Sequence, residues 1–190
     1  MNEIVFQING EPYTQIVDWQ RRTDHLIIKH QIETCGRALV VGLRGQAGRQ
    51  QITEVPEPGE AAPWYGVTGG GYAYVFTPLA VGCALWVESS ASHTFVYSGS
   101  IAPVEFYLPD RIVAVTAPES SAGRFAYEDT GQAYHFRITG RDYQELAAWP
   151  AFGEPLAEYS YRFVPTTIGT LITVTHHTTA VSLRLREDWD

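Results

Sequence analysis

Short segments in which apolar and polar residues alternate limit most strongly what this chain can fold into. Alternation with a period of two places one set of side chains on each face of a β-strand. The pattern is clear where polar residues separate Tyr159, Tyr161 and Phe163, and it recurs between turns that contain glycine or proline. We therefore predict a mainly-β fold of about eleven to thirteen short strands, packed as a β-sandwich or a barrel-like pair of sheets.

The length of the chain favours a single domain. It has 190 residues, of which 45% are hydrophobic and 13% aromatic, enough for a sizeable core. Residues 56–63, PEPGEAAP, contain too much proline for a helix or a central strand. We predict one β-rich domain, residues 1–190, in which residues 56–63 form a surface loop that joins two halves.

Two hairpins are predicted in the N-terminal part of the chain. Asn9-Gly10 lies between two alternating segments, and this dipeptide is a strong signal for a tight hairpin turn. Residues 25–34 and 37–43 form the second predicted pair of strands. The turn between them falls near Cys35, which therefore reads as a tolerated small residue.

One short helix is predicted, at residues 142–148. Asp142 and Glu145 have the spacing of a capping box, and Pro150 cannot continue a helix. The C-terminal part then returns to alternating segments, with a turn near residues 177–179. The adjacent His176 and His177 point to opposite faces of a strand, so they are interpreted as solvated turn residues and not as metal ligands.

The charge of the chain excludes some classes of partner. The formal net charge is −8 and the pI is near 5.2, with the acidic residues scattered along the sequence. Such a chain lacks the basic footprint that binds nucleic acid or anionic lipid. No apolar segment has the length of a membrane-spanning helix, so we expect a soluble protein, secreted as an effector or cytoplasmic. The sequence indicates no cofactor and no metal, and it leaves the oligomeric state open.

A cysteine stands in a distinctive position within the segment FTPLAVGC, residues 76–83. Cys83 follows Gly82 at the start of an alternating strand, six residues after Thr77. This segment and the hairpin predicted after it resemble the active-site segment of protein-glutamine deamidases such as the cytotoxic necrotizing factors and a bacterial lethal factor that inactivates a translation helicase. Thr77, Gly82 and Cys83 match that pattern, while Val81 replaces the usual serine. The resemblance covers about thirty residues of the 190.

The resemblance implies a bacterial, toxin-like hydrolase that deamidates a glutamine side chain of a target protein. Cys83 would be the nucleophile, and His93 from the next strand would be the base that activates it. Thr77 would orient a group in the pocket, and Gly82 would shape the turn beside the oxyanion. Deamidation needs these parts because a free thiol is largely protonated at neutral pH and the carboxamide oxygen gains charge.

The expected hairpin leaves the identity of the base open. If residues 83–88 pair with residues 93–98, Ser98 lies opposite Cys83, and His93 lies about 16 Å from it. Either a bulge brings His93 closer, or a histidine from another strand approaches, or the site does not catalyse. A disulfide between Cys35 and Cys83 would also prevent catalysis. The other candidate histidines are His25, His30, His135, His176 and His177.

A second class of function also fits the sequence. A non-catalytic protein- or glycan-binding module on the same β scaffold, such as a toxin relative or an inhibitor of a basic toxin, would use the acidic charge and the many tyrosines. Trp64, Tyr65, Tyr72 and Tyr74 could form a stacking surface or pack within a sheet. The partner in either case is a protein or a glycan.

Overall fold

The computed structural model describes most of the chain. The described residues are 2–41, 48–56, 66–67, 71–90, 101–109, 113–116, 126–153, 155–166 and 169–186. They form a mainly-β structure with thirteen strands and two α-helices. The predicted mainly-β fold class is therefore confirmed.

The strands and helices are numbered here in chain order. The strands are β1 (Asn2–Asn9), β2 (Ala38–Val41), β3 (Arg49–Ile52), β4 (Gly66–Val67), β5 (Tyr72–Pro78), β6 (Cys83–Ser89), β7 (Val104–Leu108), β8 (Val113–Thr116), β9 (Tyr127–Asp129), β10 (Ala133–Ile138), β11 (Tyr159–Thr166), β12 (Gly169–His176) and β13 (Ser182–Arg186). The helices are α1 (Gly10–Cys35) and α2 (Gly140–Ala148), and a 3₁₀ turn occupies Leu156–Glu158. Neither α1 nor α2, the helices of the described ranges, has the length and hydropathy that a membrane span requires.

The described strands form three sheets. A four-stranded sheet has the order β8-β1-β10-β9, a six-stranded sheet has the order β13-β12-β11-β5-β6-β7, and a three-stranded sheet has the order β3-β2-β4. The chain divides into two compact units: Met1–Gln15, Ala73–Val87 and Pro103–Asp190 make the first, and Ile16–Tyr72 and Glu88–Ala102 make the second. The prediction of one domain over residues 1–190 stays a prediction, and of the predicted loop at 56–63 only Pro56 is described.

Aromatic side chains join the four-stranded and six-stranded sheets of the first unit into a sandwich. Phe6 of β1 stacks on Phe76 of β5 with ring centroids 4.3 Å apart. Phe136 of β10 lies 5.1 Å from Phe76 and 5.2 Å from Phe163 of β11. Buried rings contribute both their apolar area and their edge-to-face contacts, so this cluster is the centre of the unit's core. The alternating segments thus place their large residues inside, as the sequence predicts.

The long helix α1 corrects two predictions. Neither the N-terminal hairpin about Asn9-Gly10 nor the strand at residues 25–34 exists, because Gly10–Cys35 is a single helix of 26 residues. Its buried residues include Ile16, Trp19, Thr23 and Ile27, at the three- and four-residue spacing that places side chains on one helix face. Helical amphipathicity therefore prevailed over the hairpin signal of the dipeptide.

The second unit is built from most of α1 and the three-stranded sheet. Trp19 donates a hydrogen bond from Nε1 to the carbonyl of Ala102 at 3.1 Å. Tyr72 donates from its hydroxyl to Oδ1 of the buried Asp24 at 2.5 Å. A buried carboxylate requires such a partner, because leaving it unpaired would cost several kcal/mol. β2 falls within the strand predicted at residues 37–43, so that strand is confirmed.

The short helix predicted near residues 142–148 is confirmed as α2. It begins earlier than predicted, at Gly140, with Thr139 at the N-cap position, and it ends before Pro150. Thr139 makes no side-chain capping hydrogen bond, so the capping box expected from Asp142 does not define the start. The helix lies against β1 and β13 of the first unit and buries Leu146.

Candidate functional site

The segment FTPLAVGC forms the hairpin between β5 and β6. The four residues from Leu79 to Gly82 make the turn, in which the Leu79 N–H donates to the Gly82 carbonyl at 3.0 Å. Cys83 begins β6, as the alternation predicts. The motif singled out in the sequence is thus a tight connection between two neighbouring strands of the six-stranded sheet.

The Cys83 thiol is buried in the core of the first unit. The residue is 1% exposed and its sulfur is free, so no disulfide joins it to Cys35. The thiol donates to the carbonyl of Ala84 at 3.3 Å. Burial raises the pKa of Cys83 from its ordinary value of 9.0 to about 12, although a hydrogen bond from the Thr77 backbone opposes that rise. A nucleophilic cysteine needs the opposite shift, since the thiolate is the reactive form.

The side chain of Thr77 lies on the other face of the sheet from Cys83. Its neighbour Phe76 is buried in the core, so Thr77 points outward by the alternation of the strand. Its hydroxyl lies 3.3 Å from Oγ of Ser160 on β11. Thr77 therefore reaches Cys83 only through its backbone, and the two side chains do not share a pocket.

The strand opposite Cys83 differs from the predicted one. β6 pairs with β7 in antiparallel register, with Cys83 opposite Leu108, and its other neighbour is β5. The predicted pairing of Cys83 with Ser98 is therefore wrong. His93 and Ser98 themselves lie outside the described residues, so the role of His93 stays a prediction. Within the described ranges, no histidine nitrogen is hydrogen-bonded to the Cys83 sulfur.

The absence of a side chain at Gly82 permits both the turn and the close packing of the Tyr107 ring. Its φ is +71°, a conformation that residues with a Cβ rarely adopt. A Cβ at this position would lie 2.6 Å from the hydroxyl oxygen of Tyr107 and 2.5 Å from the carbonyl oxygen of Leu108. Tyr107 therefore packs directly over Gly82, and its hydroxyl donates to the Val81 carbonyl at 3.1 Å.

Exposed aromatic residues gather on the outer face of β6 and β7. Trp86 is 37% exposed, Tyr107 is 55% exposed, and Val81 in the adjacent turn is 71% exposed. Trp86 lies directly opposite the exposed Glu105 in the ladder, and Tyr107 lies opposite Ala84. Trp86 and Tyr107 are thus diagonal neighbours on one face. We call Val81, Trp86, Glu105 and Tyr107 the aromatic–acidic surface.

A serine of β11 and the histidine that directly follows β12 meet on the same outer face. Oγ of Ser160 lies 2.6 Å from Nε2 of His177. The neighbouring His176 instead contacts Oε2 of Glu158 at 3.3 Å through Nε2. The two adjacent histidines therefore have different partners, and within the described ranges no group of side chains has the composition of a metal site.

These two outer-face features differ in how far the sequence indicates them. Trp86, Glu105 and Tyr107 come together because β6 pairs with β7, a register that the sequence alone did not give. Ser160 and His177 are brought together by the β11–β12 hairpin, and the alternation around Ser160 together with the turn predicted after His176 was the available signal.

The chain was compared with protein-family models, with curated proteins and with solved structures, and none of the three comparisons gives a match. The function therefore has to be argued from the chemistry of these surfaces.

Proposed function

We propose that this protein binds a basic segment of a partner protein at the aromatic–acidic surface, and that Cys83 has a structural role. The observation that carries the proposal is the ladder pair of Trp86 and Glu105, both exposed, with Tyr107 diagonal to Trp86. Diagonal side chains on an antiparallel pair are within mutual reach of one long ligand side chain. The two aromatic side chains and the carboxylate therefore lie together on one exposed face of the sheet.

A cationic side chain suits this combination of groups. The face of an aromatic ring is negative, so a lysine ammonium or an arginine guanidinium is attracted to it. Glu105 supplies the opposite charge on the same face, while Val81 adds apolar surface for the methylene stem of the ligand. An exposed cation–π contact contributes about 0.5 to 1 kcal/mol, so a segment with several basic residues would be needed for useful affinity.

The charge of the whole chain supports the same class of partner. A net charge of −8 attracts cationic proteins over long range and raises the rate at which they meet. The long-range attraction raises the association rate, and the aromatic–acidic surface provides the selectivity. The proposal corresponds to the binding alternative of the sequence analysis, narrowed to a basic protein segment.

The surroundings of Cys83 favour this proposal over glutamine deamidation. Because Cys83 as a residue is 1% exposed, its sulfur cannot reach a glutamine of another protein without opening the sheet. Its raised pKa also keeps it in the unreactive thiol form. Deamidation by Cys83, His93, Thr77 and Gly82 stays a prediction that no comparison tests.

Binding of a labelled arginine- and lysine-rich peptide, followed by fluorescence anisotropy, tests the proposal. We expect Trp86→Ala and Glu105→Gln each to weaken binding about two- to fivefold, the factor that corresponds to about 0.5 to 1 kcal/mol. Leu171→Ala is the matched control, because Leu171 is an exposed apolar residue of the same sheet on β12. A glutamate-rich peptide should not bind.

Two outcomes would contradict the proposal. One is equal affinity of wild type, Trp86→Ala and Glu105→Gln for the basic peptide. The other is a loss of affinity on Leu171→Ala as large as the loss on Trp86→Ala. Either result would mean that the binding is a property of net charge and does not use the aromatic–acidic surface.

A further inference from the structure

The β11–β12 hairpin fixes Ser160 and His177 next to each other. Ser160 lies opposite Thr175 in the ladder. His177 comes two residues after Thr175, directly after the end of β12. The His177 N–H donates to the carbonyl of Glu158 at 2.8 Å, which holds its backbone beside the start of β11. Its ring then returns over β11 and brings Nε2 to 2.6 Å from Oγ of Ser160. Backbone structure thus brings the two side chains into contact.

A second hydroxyl completes a directed chain of hydrogen bonds. Thr77 Oγ1 lies 3.3 Å from Oγ of Ser160. Ser160 has one proton, so when it donates to Nε2 of His177 its lone pairs are left to accept from Thr77. This arrangement requires the imidazole tautomer with its proton on Nδ1. The serine oxygen is then oriented from both sides.

We propose that Ser160 is a nucleophile for acyl transfer, with His177 as its general base. A serine hydroxyl within hydrogen-bond reach of an imidazole nitrogen is the arrangement that activates serine in acyl transfer. Ser160 is half-buried and His177 is exposed, so an acyl donor can approach the pair from solvent. This activity would be separate from binding at the aromatic–acidic surface.

The proposed reaction balances with groups that the site supplies. Oγ of Ser160 attacks the carbonyl carbon of an ester while its proton passes to Nε2 of His177. The tetrahedral intermediate collapses, the bond to the alcohol oxygen breaks, and the imidazolium returns the proton to the leaving group. His177 then takes a proton from water, which attacks the acyl-serine; the bond to Oγ of Ser160 breaks, the imidazolium returns the proton to Oγ, and the carboxylic acid is released.

The open surroundings of the pair define the class of substrate. Among the described residues, the Ser160 oxygen contacts the His177 ring and one side-chain hydroxyl, that of Thr77. Few donors are therefore available to stabilise an oxyanion. Acyl donors with good leaving groups, such as aryl esters, need least of that stabilisation. We therefore expect activity toward unhindered aryl esters.

The same sheet provides matched controls. Ser182 of β13 also lies on the outer face, but its Oγ contacts the hydroxyl of Thr175 at 2.8 Å and, among the described residues, no imidazole. His176 contacts Thr179 and Glu158 and not Ser160. Ser182 is therefore a matched control for Ser160, and His176 for His177: the side chains are the same and the hydrogen-bond partners differ.

Acetylation of the full chain by p-nitrophenyl acetate, with peptide mapping by mass spectrometry, tests the proposal. In samples quenched with acid during turnover, before the acyl-serine is hydrolysed, we expect an acetyl group on Ser160 in the wild type and none at that position in Ser160→Ala. His177→Gln should retain a hydrogen bond to Ser160 and slow the acetylation about 100-fold, because it removes the base. Ser182→Ala and His176→Gln should acetylate at the wild-type rate.

Thermal unfolding of every variant distinguishes a catalytic role from a structural one, because loss of a structural contact would lower the melting temperature. Unchanged melting with the predicted rates supports the role of His177 as a base. Acetylation of Ser160 at the same rate in wild type and His177→Gln would overturn the proposal. Equal acetylation of Ser160 and Ser182 would also overturn it.

Discussion

Thr77 and Cys83 present their side chains to opposite faces of the six-stranded sheet. The Thr77 hydroxyl contacts Ser160 on the outer face, while the Cys83 sulfur is buried among the residues of the core. The motif suggests that Thr77 and Cys83 share a pocket, but the two side chains lie on opposite faces of the sheet.

Cys83 should resist alkylation in the folded protein. Burial keeps its sulfur away from reagent and raises its pKa to about 12, whereas Cys35 is exposed and should react. We expect iodoacetamide at neutral pH to modify Cys35 only, and to modify both cysteines after unfolding in guanidinium chloride. Peptide mass spectrometry gives the extent at each site. Rapid modification of Cys83 in the native protein would restore the nucleophile hypothesis.

The thiol of Cys83 should also make stability depend on alkaline pH. Its pKa is about 12 in the folded protein and 9.0 as an ordinary thiol, so between these values the folded state holds more protons than the unfolded state. The free energy of unfolding must then fall as pH rises, and the contribution is complete below about pH 9. In Cys83→Ala this contribution is absent.

The measurement is chemical denaturation of wild type and Cys83→Ala across that range. Tyrosines also titrate at alkaline pH, but they do so in both proteins, so the difference between the two isolates the thiol. We expect the stability of the wild type relative to Cys83→Ala to decrease from pH 9 toward pH 12. A constant difference would show that Cys83 titrates alike in both states.

Gly82→Ala should destabilise the protein more than Gly131→Ala. Both glycines have positive φ, +71° and +79°, so both substitutions incur a conformational cost of about 1 to 2 kcal/mol. Only at Gly82 would the new Cβ meet Tyr107 and the Leu108 carbonyl, since nothing lies within 4 Å of the Cβ position at Gly131. We expect a further loss of about 1 kcal/mol or more at Gly82, measured by urea denaturation. Equal losses would argue against close packing of Tyr107.

Removal of two tyrosine hydroxyls should have opposite effects. The Tyr161 hydroxyl is buried and has no hydrogen-bond partner within the described ranges, whereas the Tyr159 hydroxyl donates to Ala151 at 2.6 Å and accepts from Gly153 at 2.8 Å. Loss of an unpaired buried polar group is favourable, and loss of a paired one is not. We expect Tyr161→Phe to raise the free energy of unfolding by about 1 kcal/mol.

Tyr159→Phe serves as the comparison and should lower the free energy of unfolding by about 1 to 2 kcal/mol, because it leaves Gly153 N–H and Ala151 C=O without that partner. Equilibrium denaturation, fitted with one m-value for all variants, distinguishes the expected increase from the expected decrease in the free energy of unfolding. Destabilisation by Tyr161→Phe as large as that by Tyr159→Phe would mean that the Tyr161 hydroxyl is hydrogen-bonded in solution.

The fold was predictable where side chains alternate and unpredictable where two signals competed. β11 shows the alternation predicted for Tyr159, Tyr161 and Phe163, because its inward and outward residues differ in character. In α1 the Asn9-Gly10 dipeptide suggested a hairpin, yet the helical spacing of Ile16, Trp19 and Ile27 decided the structure. Packing against the rest of a fold routinely outweighs a local turn preference.

The candidate site was less predictable because it depends on pairing between strands distant in sequence. The sequence supplied Cys83 at the start of a strand, but the partner of that strand was assigned to the adjacent residues 93–98 and is in fact β7. Ser160 and His177 are separated by 17 positions, and their contact follows from the β11–β12 register and from the turn after it. Register across a sheet is set by the whole hydrophobic pattern and not by one motif.

Strand β11 carries side chains in two different environments along one short segment. Its odd-numbered residues Tyr159, Tyr161 and Phe163 are sealed in the interior, while the even-numbered Ser160 and Arg162 face outward. An exchange at an even position alters what the protein presents to its surroundings and leaves the interior volume untouched. Substitutions at the even-numbered positions can therefore change the outward chemistry of the sheet without any rearrangement of the core beneath it.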